Sequence, residues 1–225
     1  MTFSIVGRCR QTGQLGVAIS SSSIAVGARC PWARAGVGAV ATQNVTLPAL
    51  GPRILDLLEH ERIAPDAALE RALSESEWSE YRQVTVVDSQ GRTAMFTGKE
   101  ALGVHHAVAG DQCVAAGNLL ADRHVIDAMV KAFEQTQGAL ADRLMQAMHA
   151  AVEAGGEAGP VHSAALTIVD APIWPVVDLR VDWADDDPIA RLHALWQAYR
   201  PQMHDYVVRA LNPTAAPSYG VPGDE

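Results

Sequence analysis

Apolar and β-branched residues run from Phe3 to Arg10. The segment Gln11-Thr12-Gly13-Gln14 is a turn signal, with a glycine where φ can be positive. The apolar pattern returns over Leu15 to Ser20, so the first two elements are predicted to form a hairpin. Small residues from Gly36 to Thr42 predict a third strand after a loop around Pro31. Leu50, Ile54, Leu57 and Leu58 recur at helical spacing, and Pro65-Asp66 opens a second helix carrying Leu69, Ala72 and Leu73. Strand, turn and strand follow at Gln83 to Asp88, Ser89 to Gly91 and Thr93 to Thr97. Another strand is predicted at Cys113 to Gly117.

Asp122 suits the start of a helix with the stripe Val125, Met129 and Phe133, broken at Gln137-Gly138. Leu140, Leu144, Met148 and Val152 predict a further helix that ends at Gly155-Gly156. Two strands, Ser163 to Val169 and Trp174 to Val181, come next. The acidic run Asp185 to Asp187 before Pro188 reads as a helix start rather than a cation site, since carboxylates favour that end of a helix. A short helix over Met203 to Leu211 follows the break at Pro201. Blocks of strands separated by paired helices predict an α+β fold, with helices covering the outer faces of packed antiparallel sheets. Residues 1–211 read as one domain. The Pro- and Gly-rich stretch 212–225 reads as a disordered tail or an arm that packs Tyr219 on a neighbouring copy, which would make the protein a homo-oligomer.

The chain has 225 residues, 48% of them hydrophobic, enough for one sizeable core. Its 17 Lys plus Arg against 26 Asp plus Glu give a net charge of −9, which disfavours nucleic acid and anionic membrane surfaces as partners. Arg8 and Arg10 interrupt any secretory stretch and no run reaches membrane-spanning length, so a cytoplasmic protein is expected. Cys9, Cys30 and Cys113 form no Cys-x-x-Cys, and the histidines show no ligand spacing, so no metal is predicted. Cys30 beside Arg29 is a minor candidate thiolate. With no dinucleotide, P-loop, nucleophile-elbow or zincin motif in context, no cofactor is called for.

Candidate chemistry lies at the start. Removal of Met1 would give Thr2 a free α-amine, whose reference pKa of about 7.7–8.0 lets it take the hydroxyl proton during attack on a carbonyl. The predicted hairpin begins beside Thr2 and would hold it on a rigid sheet.

The element order and the placement of Thr2 resemble the N-terminal nucleophile hydrolases of the proteasome β-subunit type, whose fold is a four-layer αββα sandwich. The stretches GQLGVAISSS, AVGARCPWARAGVGAVATQN, RQVTVVDSQGRTA, AAGNLLA and PVVDLRVDW are similar to the bacterial domain-of-unknown-function family numbered 1028, regarded as hydrolases of this type. The likeness spans nearly the whole chain. It implies Thr2 as nucleophile and its own amine as base, acting on the amide bond of a small substrate. Ala41-Thr42-Gln43-Asn44 falls where the proteasome type has an oxyanion-binding turn; Gln43 or Asn44 would either supply amide donors or cap the helix starting near Pro48. The proteasome type also places a Lys near the nucleophile. Only Lys99 and Lys131 exist here, neither in that region, which leaves Arg29 or Arg34 as the nearby positive charge. Many members of the family carry a Lys where this chain reads Ser22. The run Ser20 to Ser23, Ser21 and Ser22 in particular, offers hydroxyls to a polar substrate, or is simply solvated. Glu157 and Ser163 resemble the acidic residue and serine that steady the terminal amine. Asn118 either points into the cleft or caps the following helix. The absent Lys supports a rival of another class, a catalytically silent sandwich acting as a binding or assembly subunit.

Overall fold

A computed structural model describes residues 2–221. It contains ten strands and six α-helices among these residues, β1 (Thr2–Arg8), β2 (Leu15–Ser21), β3 (Pro31–Arg34), β4 (Gly38–Asn44), α1 (Leu50–Asp56), α2 (Pro65–Ser74), β5 (Arg82–Asp88), β6 (Thr93–Thr97), β7 (His106–Gly110), β8 (Cys113–Asn118), α3 (His124–Gln135), α4 (Leu140–Glu153), β9 (Ser163–Val169), β10 (Val177–Val181), α5 (Pro188–Tyr199) and α6 (Met203–Leu211). The strands form two antiparallel sheets, ordered β10-β9-β2-β1-β8-β7 and β3-β4-β5-β6.

Alternation along the strands divides the core into layers. On β1, Phe3 and Ile5 face α3 and α4 and pack with Met129, Phe133, Leu144 and Met148. Val6 points the other way and meets Val17, Val114, Ala39, Ala41 and Val87 between the sheets. On the second sheet, Val40, Val84 and Val86 turn outward to Leu50, Ile54, Leu69 and Leu73 of α1 and α2. The layers therefore run helix, sheet, sheet, helix. Gly38 on β4 leaves room for the helical layer: a Cβ there would meet the Val87 carbonyl oxygen of the neighbouring strand β5 at 2.8 Å and Leu58 at 3.1 Å.

The hairpin, the helices α2, α4 and α6 and the strands β5 and β6 fall where the hydrophobic pattern places them. Two strands are additional. The segment read as a loop around Pro31 contains β3, and β7 was not predicted. Both are edge strands with half-buried residues, so neither carries a strong apolar alternation, and an edge tolerates proline at its first position. β10 starts at Val177 rather than Trp174. The helix predicted over Leu50 to Leu58 changes after Asp56 into a π-helical turn, Leu57–Glu61, and stops at Arg62, where φ is +55°. Asp187 caps α5 by accepting from the backbone N–H groups of Ile189 and Ala190, as the acidic run implied. Beyond α6 the chain turns back, and the Arg209 guanidinium lies 3.8 Å from the centre of the Tyr219 ring while donating to the Pro217 carbonyl. Residues 222–225 of the predicted arm lie outside the described residues. Among the described residues no helix is long and apolar enough to cross a membrane.

Candidate active site

Thr2 opens β1 in the middle of the larger sheet, opposite Ser21 of β2 and Asn118 of β8. Ser21 in turn lies opposite Ser163 of β9. The register thus lines up Ser163, Ser21, Thr2 and Asn118 as a polar row across four strands. Strand alternation turns the Thr2 side chain, like Val6, toward the second sheet. Thr2 is only 6% exposed, and its Oγ1 lies 3.1 Å from Ser21 Oγ. Ser21 Oγ is 2.9 Å from Ser23 Oγ, which accepts a 2.9 Å hydrogen bond from the Arg29 guanidinium. A chain of hydroxyls therefore joins Thr2 to a cation. Arg29 does not occupy the place of a Lys beside the nucleophile; it also donates to the Ile24 and Ala25 carbonyls and so holds the 22–25 loop.

Below this row, amide side chains bridge the two sheets. Ser4 donates to Gln43 Oε1 at 2.6 Å, and Gln43 Nε2 donates to Gln83 Oε1 and to the Ala116 carbonyl. Gln83 Nε2 donates to the Gly117 carbonyl and to Thr97 Oγ1. The carbonyl partners fix which end of each glutamine is nitrogen. Gln83 Oε1 must then accept, and it takes a 3.1 Å hydrogen bond from Asn118 Nδ2. Asn118 is 1% exposed and its Oδ1 has no partner among the described residues. It faces the second sheet, where it reaches Gln83, and does not cap α3.

The geometry redistributes the other roles expected of this region. Both N–H groups of Gln43 are engaged, so its amide is structural and has no donor left for an oxyanion. Asn44, at φ +69°, donates to the Tyr81 carbonyl and accepts from the Leu102 backbone N–H. Neither residue caps α1. Thr42 sits one position from Gln43 and so faces the α1 side, where its hydroxyl meets Thr46 and the Leu47 carbonyl. Arg34 is held by Asp56 and Glu59, which keep its guanidinium protonated despite partial burial, and is not brought to Thr2. Ser163 donates to the Ser23 carbonyl and accepts from the Val26 N–H, a clamp on the loop after β2. Ser22 is half-buried, and its backbone approaches Glu157.

Glu157 stands near the end of the row, paired across an isolated bridge with Leu120, two residues past Asn118. Burial pushes its carboxyl up to about 8, against the opposing positive charge of the amino terminus and the Ser22 backbone. Cys30 is 4% exposed; burial raises its thiol to about 11, and the Arg29 charge does not overcome this. Burial likewise raises Cys113 to about 12. No group of three or more His, Cys, Asp or Glu side chains among the described residues is arranged to hold a metal ion.

Ser4 and Gln83 carry no signal of their own in the sequence, whereas Ser23 belongs to the serine run. Ser4 shares the inward face with Thr2 by simple alternation, and Gln83 is the second residue of β5, so a polar residue near the start of each strand is the available signal.

Fold and site together define a mixed α/β protein of two facing antiparallel sheets, with a polar row across the larger sheet that includes Thr2. The chain belongs to the family of unknown function DUF1028, whose model matches residues 2–192. It is similar to the crystal structure of a DUF1028 protein from Silicibacter pomeroyi, with 31% identity, 88% of each chain covered and a TM-score of 0.82. Anbu (ancestral beta-subunit) from Yersinia bercovieri shares 10% identity over 90% of this chain and 96% of its own, with a TM-score of 0.41. An Anbu Gly-1 mutant from Hyphomicrobium sp. strain MC1 gives 12% identity, 91% and 96% coverage and a TM-score of 0.45. These two likenesses are too distant to argue from. No curated protein matches the chain.

Proposed function

We propose that this protein is an N-terminal nucleophile amidohydrolase that cleaves the C–N bond of a small amide through Thr2 once Met1 has been removed. The observation that carries this reading is the placement of the Thr2 hydroxyl, nearly buried at the head of a central strand and in contact with Ser21 Oγ. The end of a central strand, held on both sides by its neighbours, positions a nucleophile without further ordering on substrate binding.

In this mechanism the Thr2 hydroxyl attacks the amide carbonyl carbon, and its proton passes to the α-amine of Thr2. The tetrahedral intermediate collapses as the C–N bond breaks, the leaving nitrogen takes that proton, and an ester on Thr2 remains. Water, deprotonated by the same amine, attacks the ester carbonyl; the carboxylic acid leaves and the Thr2 hydroxyl is restored. Asn118 is the proposed donor to the developing oxyanion, because it spends one N–H on Gln83 and keeps a second. Its unpartnered Oδ1 is an acceptor for the terminal amine or a substrate N–H. The Ser21, Ser23 and Arg29 chain orients the Thr2 hydroxyl. A charge of −9 fits a small-molecule substrate better than a nucleic acid.

Intact-mass measurement of the native protein, followed by a screen of N-acyl and N-carbamoyl amino acids with the native protein and Thr2→Ala, tests the reading. The expected result is loss of Met1 and turnover that Thr2→Ala abolishes. Full retention of Met1, or equal turnover by both proteins, would remove Thr2 from the mechanism.

A further inference from the structure

β6 is an edge of the smaller sheet and pairs with β5 alone. At one end of this ladder the Asp88 N–H donates to the Arg92 carbonyl, and at the other the Gly98 N–H donates to the Arg82 carbonyl. Antiparallel pairs alternate, so Ala94 and Phe96 also turn their backbone groups to β5, and those of Thr93, Met95 and Thr97 point outward. No other strand among the described residues takes them. Edges are commonly protected by charge, proline or a bulge. β3 opens with Pro31 and closes with Arg34, and β10 carries Asp178 and Arg180. β6 reads Thr-Ala-Met-Phe-Thr in unbroken register and has none of these.

A cavity of about 340 Å³ lies between this edge and α2, lined in part by Asp66, Leu69, Glu70, Leu73 and Phe96. Ala94 and Phe96 pack against the α2 cluster, so side chains on the same face of a strand added to β6 would enter the cavity. Its floor is apolar, and its ionised groups are both carboxylates. Arg71, the only cation on α2, is taken by Glu61 and Glu75, which leaves Asp66 and Glu70 without an ion pair among the described residues. Four residues of helix separate these two by about 6 Å, close to the roughly 6.7 Å between alternate residues of a strand. Basic side chains at positions i and i+2 of an added strand would therefore reach both carboxylates, and their hydrocarbon stems would cover Leu69, Leu73 and Phe96. A second copy of this chain, with its net charge of −9, fits such a surface poorly.

We propose that β6 is a docking edge for an extended segment of a partner protein, which adds as a fifth strand and carries Lys or Arg at alternate positions on the α2 side. The surface stands whether or not Thr2 is a nucleophile. Fluorescence anisotropy of the labelled peptide Thr-Lys-Val-Lys-Val-Lys-Thr with the full chain tests it, beside the same peptide with Glu for Lys and a form N-methylated at its five central residues, which keeps the charges and removes the N–H donors. The Lys peptide should bind at least about tenfold more tightly than either control. Met95→Pro removes an outward N–H at a position where an edge strand tolerates proline, and leaves every charge in place. It should weaken binding at least about tenfold, as should Asp66→Asn combined with Glu70→Gln. No saturable binding at millimolar concentration overturns the proposal. Equal binding of the N-methylated peptide, or undiminished binding by Met95→Pro, would reduce the interaction to unspecific charge attraction and overturns it too. Undiminished binding by the double carboxylate variant does the same. Should Met95→Pro not fold, the N-methylated peptide with the native protein decides the backbone pairing.

Discussion

Thr2 and Ser21 stand directly opposite each other on neighbouring strands, with their hydroxyl oxygens 3.1 Å apart. The contact follows from the hairpin register, since a shift of one residue would turn one of the two hydroxyls to the far face of the sheet. Ser21→Ala should therefore remove an orienting partner while leaving the nucleophile in place. The expected effect on amide turnover is a fall in kcat of about tenfold with little change in KM, the size of one hydrogen bond to the reacting group. Steady-state kinetics on a substrate found by screening measures both. A rise in KM at constant kcat would make Ser21 a substrate contact instead.

The amide bridge between the sheets is expected to matter more to stability than any surface ion pair. Gln83→Leu keeps the volume of residue 83 but deprives Asn118 Nδ2 of its acceptor and takes one of two from Gln43 Nε2. Two buried donors losing partners correspond to about 2–5 kcal/mol. Arg53→Ala, which breaks an exposed pair with Glu75, should leave the unfolding midpoint nearly unchanged, since water and salt screen such a pair. Urea unfolding with a lowered midpoint and an unchanged slope distinguishes a loss of stability from a change in the denatured chain.

The parts of the fold legible in the sequence are those with strong local signals. Gly13 in the first turn, Pro65 opening α2 and Asp187 capping α5 each impose a backbone constraint that needs no tertiary partner. β3 and β7 escaped because edge strands bury too little of either face to show alternation. The site was legible only along β1: Thr2 and Ser21 come from one hairpin, but the side-chain contacts of Gln43 with Ser4 and of Gln83 with Asn118 join residues 35 or more apart in sequence. Gln43 illustrates the limit. Its residue type suits an oxyanion donor, and only the positions of Gln83 and the Ala116 carbonyl show that its N–H groups are already used.

Cys30 gives a sharp test of the competing thiolate. Arg29 precedes it in sequence and lowers its pKa, yet burial dominates and holds the thiol at about 11. At pH 8 roughly one Cys30 in a thousand is then ionised, and the thiolate is the reactive form. Iodoacetamide should label Cys30 in the folded protein at least about a hundredfold more slowly than in urea, read by peptide mass spectrometry. Fast labelling in the native state, accompanied by loss of turnover, would move the nucleophile from Thr2 to Cys30.

Glu157 predicts a particular dependence of stability on pH. Its carboxyl is raised from the ordinary value of 4.5 to about 8 by burial, so between these limits the unfolded chain is ionised there while the folded chain keeps the proton. The folded state binds more protons throughout that window, and stability must fall as pH rises through it, by at most about 1.4 kcal/mol per pH unit from this group. Below the window both states are protonated and the full stability is present; above it both are ionised and the loss is complete. Other groups titrate in the same range, but they do so equally in Glu157→Gln, whose amide carries no ionisable proton. The difference between the urea midpoints of native protein and variant should therefore move steadily in the variant's favour from pH 5 to pH 8. A difference that stays constant over this range would show that Glu157 ionises normally in the folded chain, with a partner that compensates its burial.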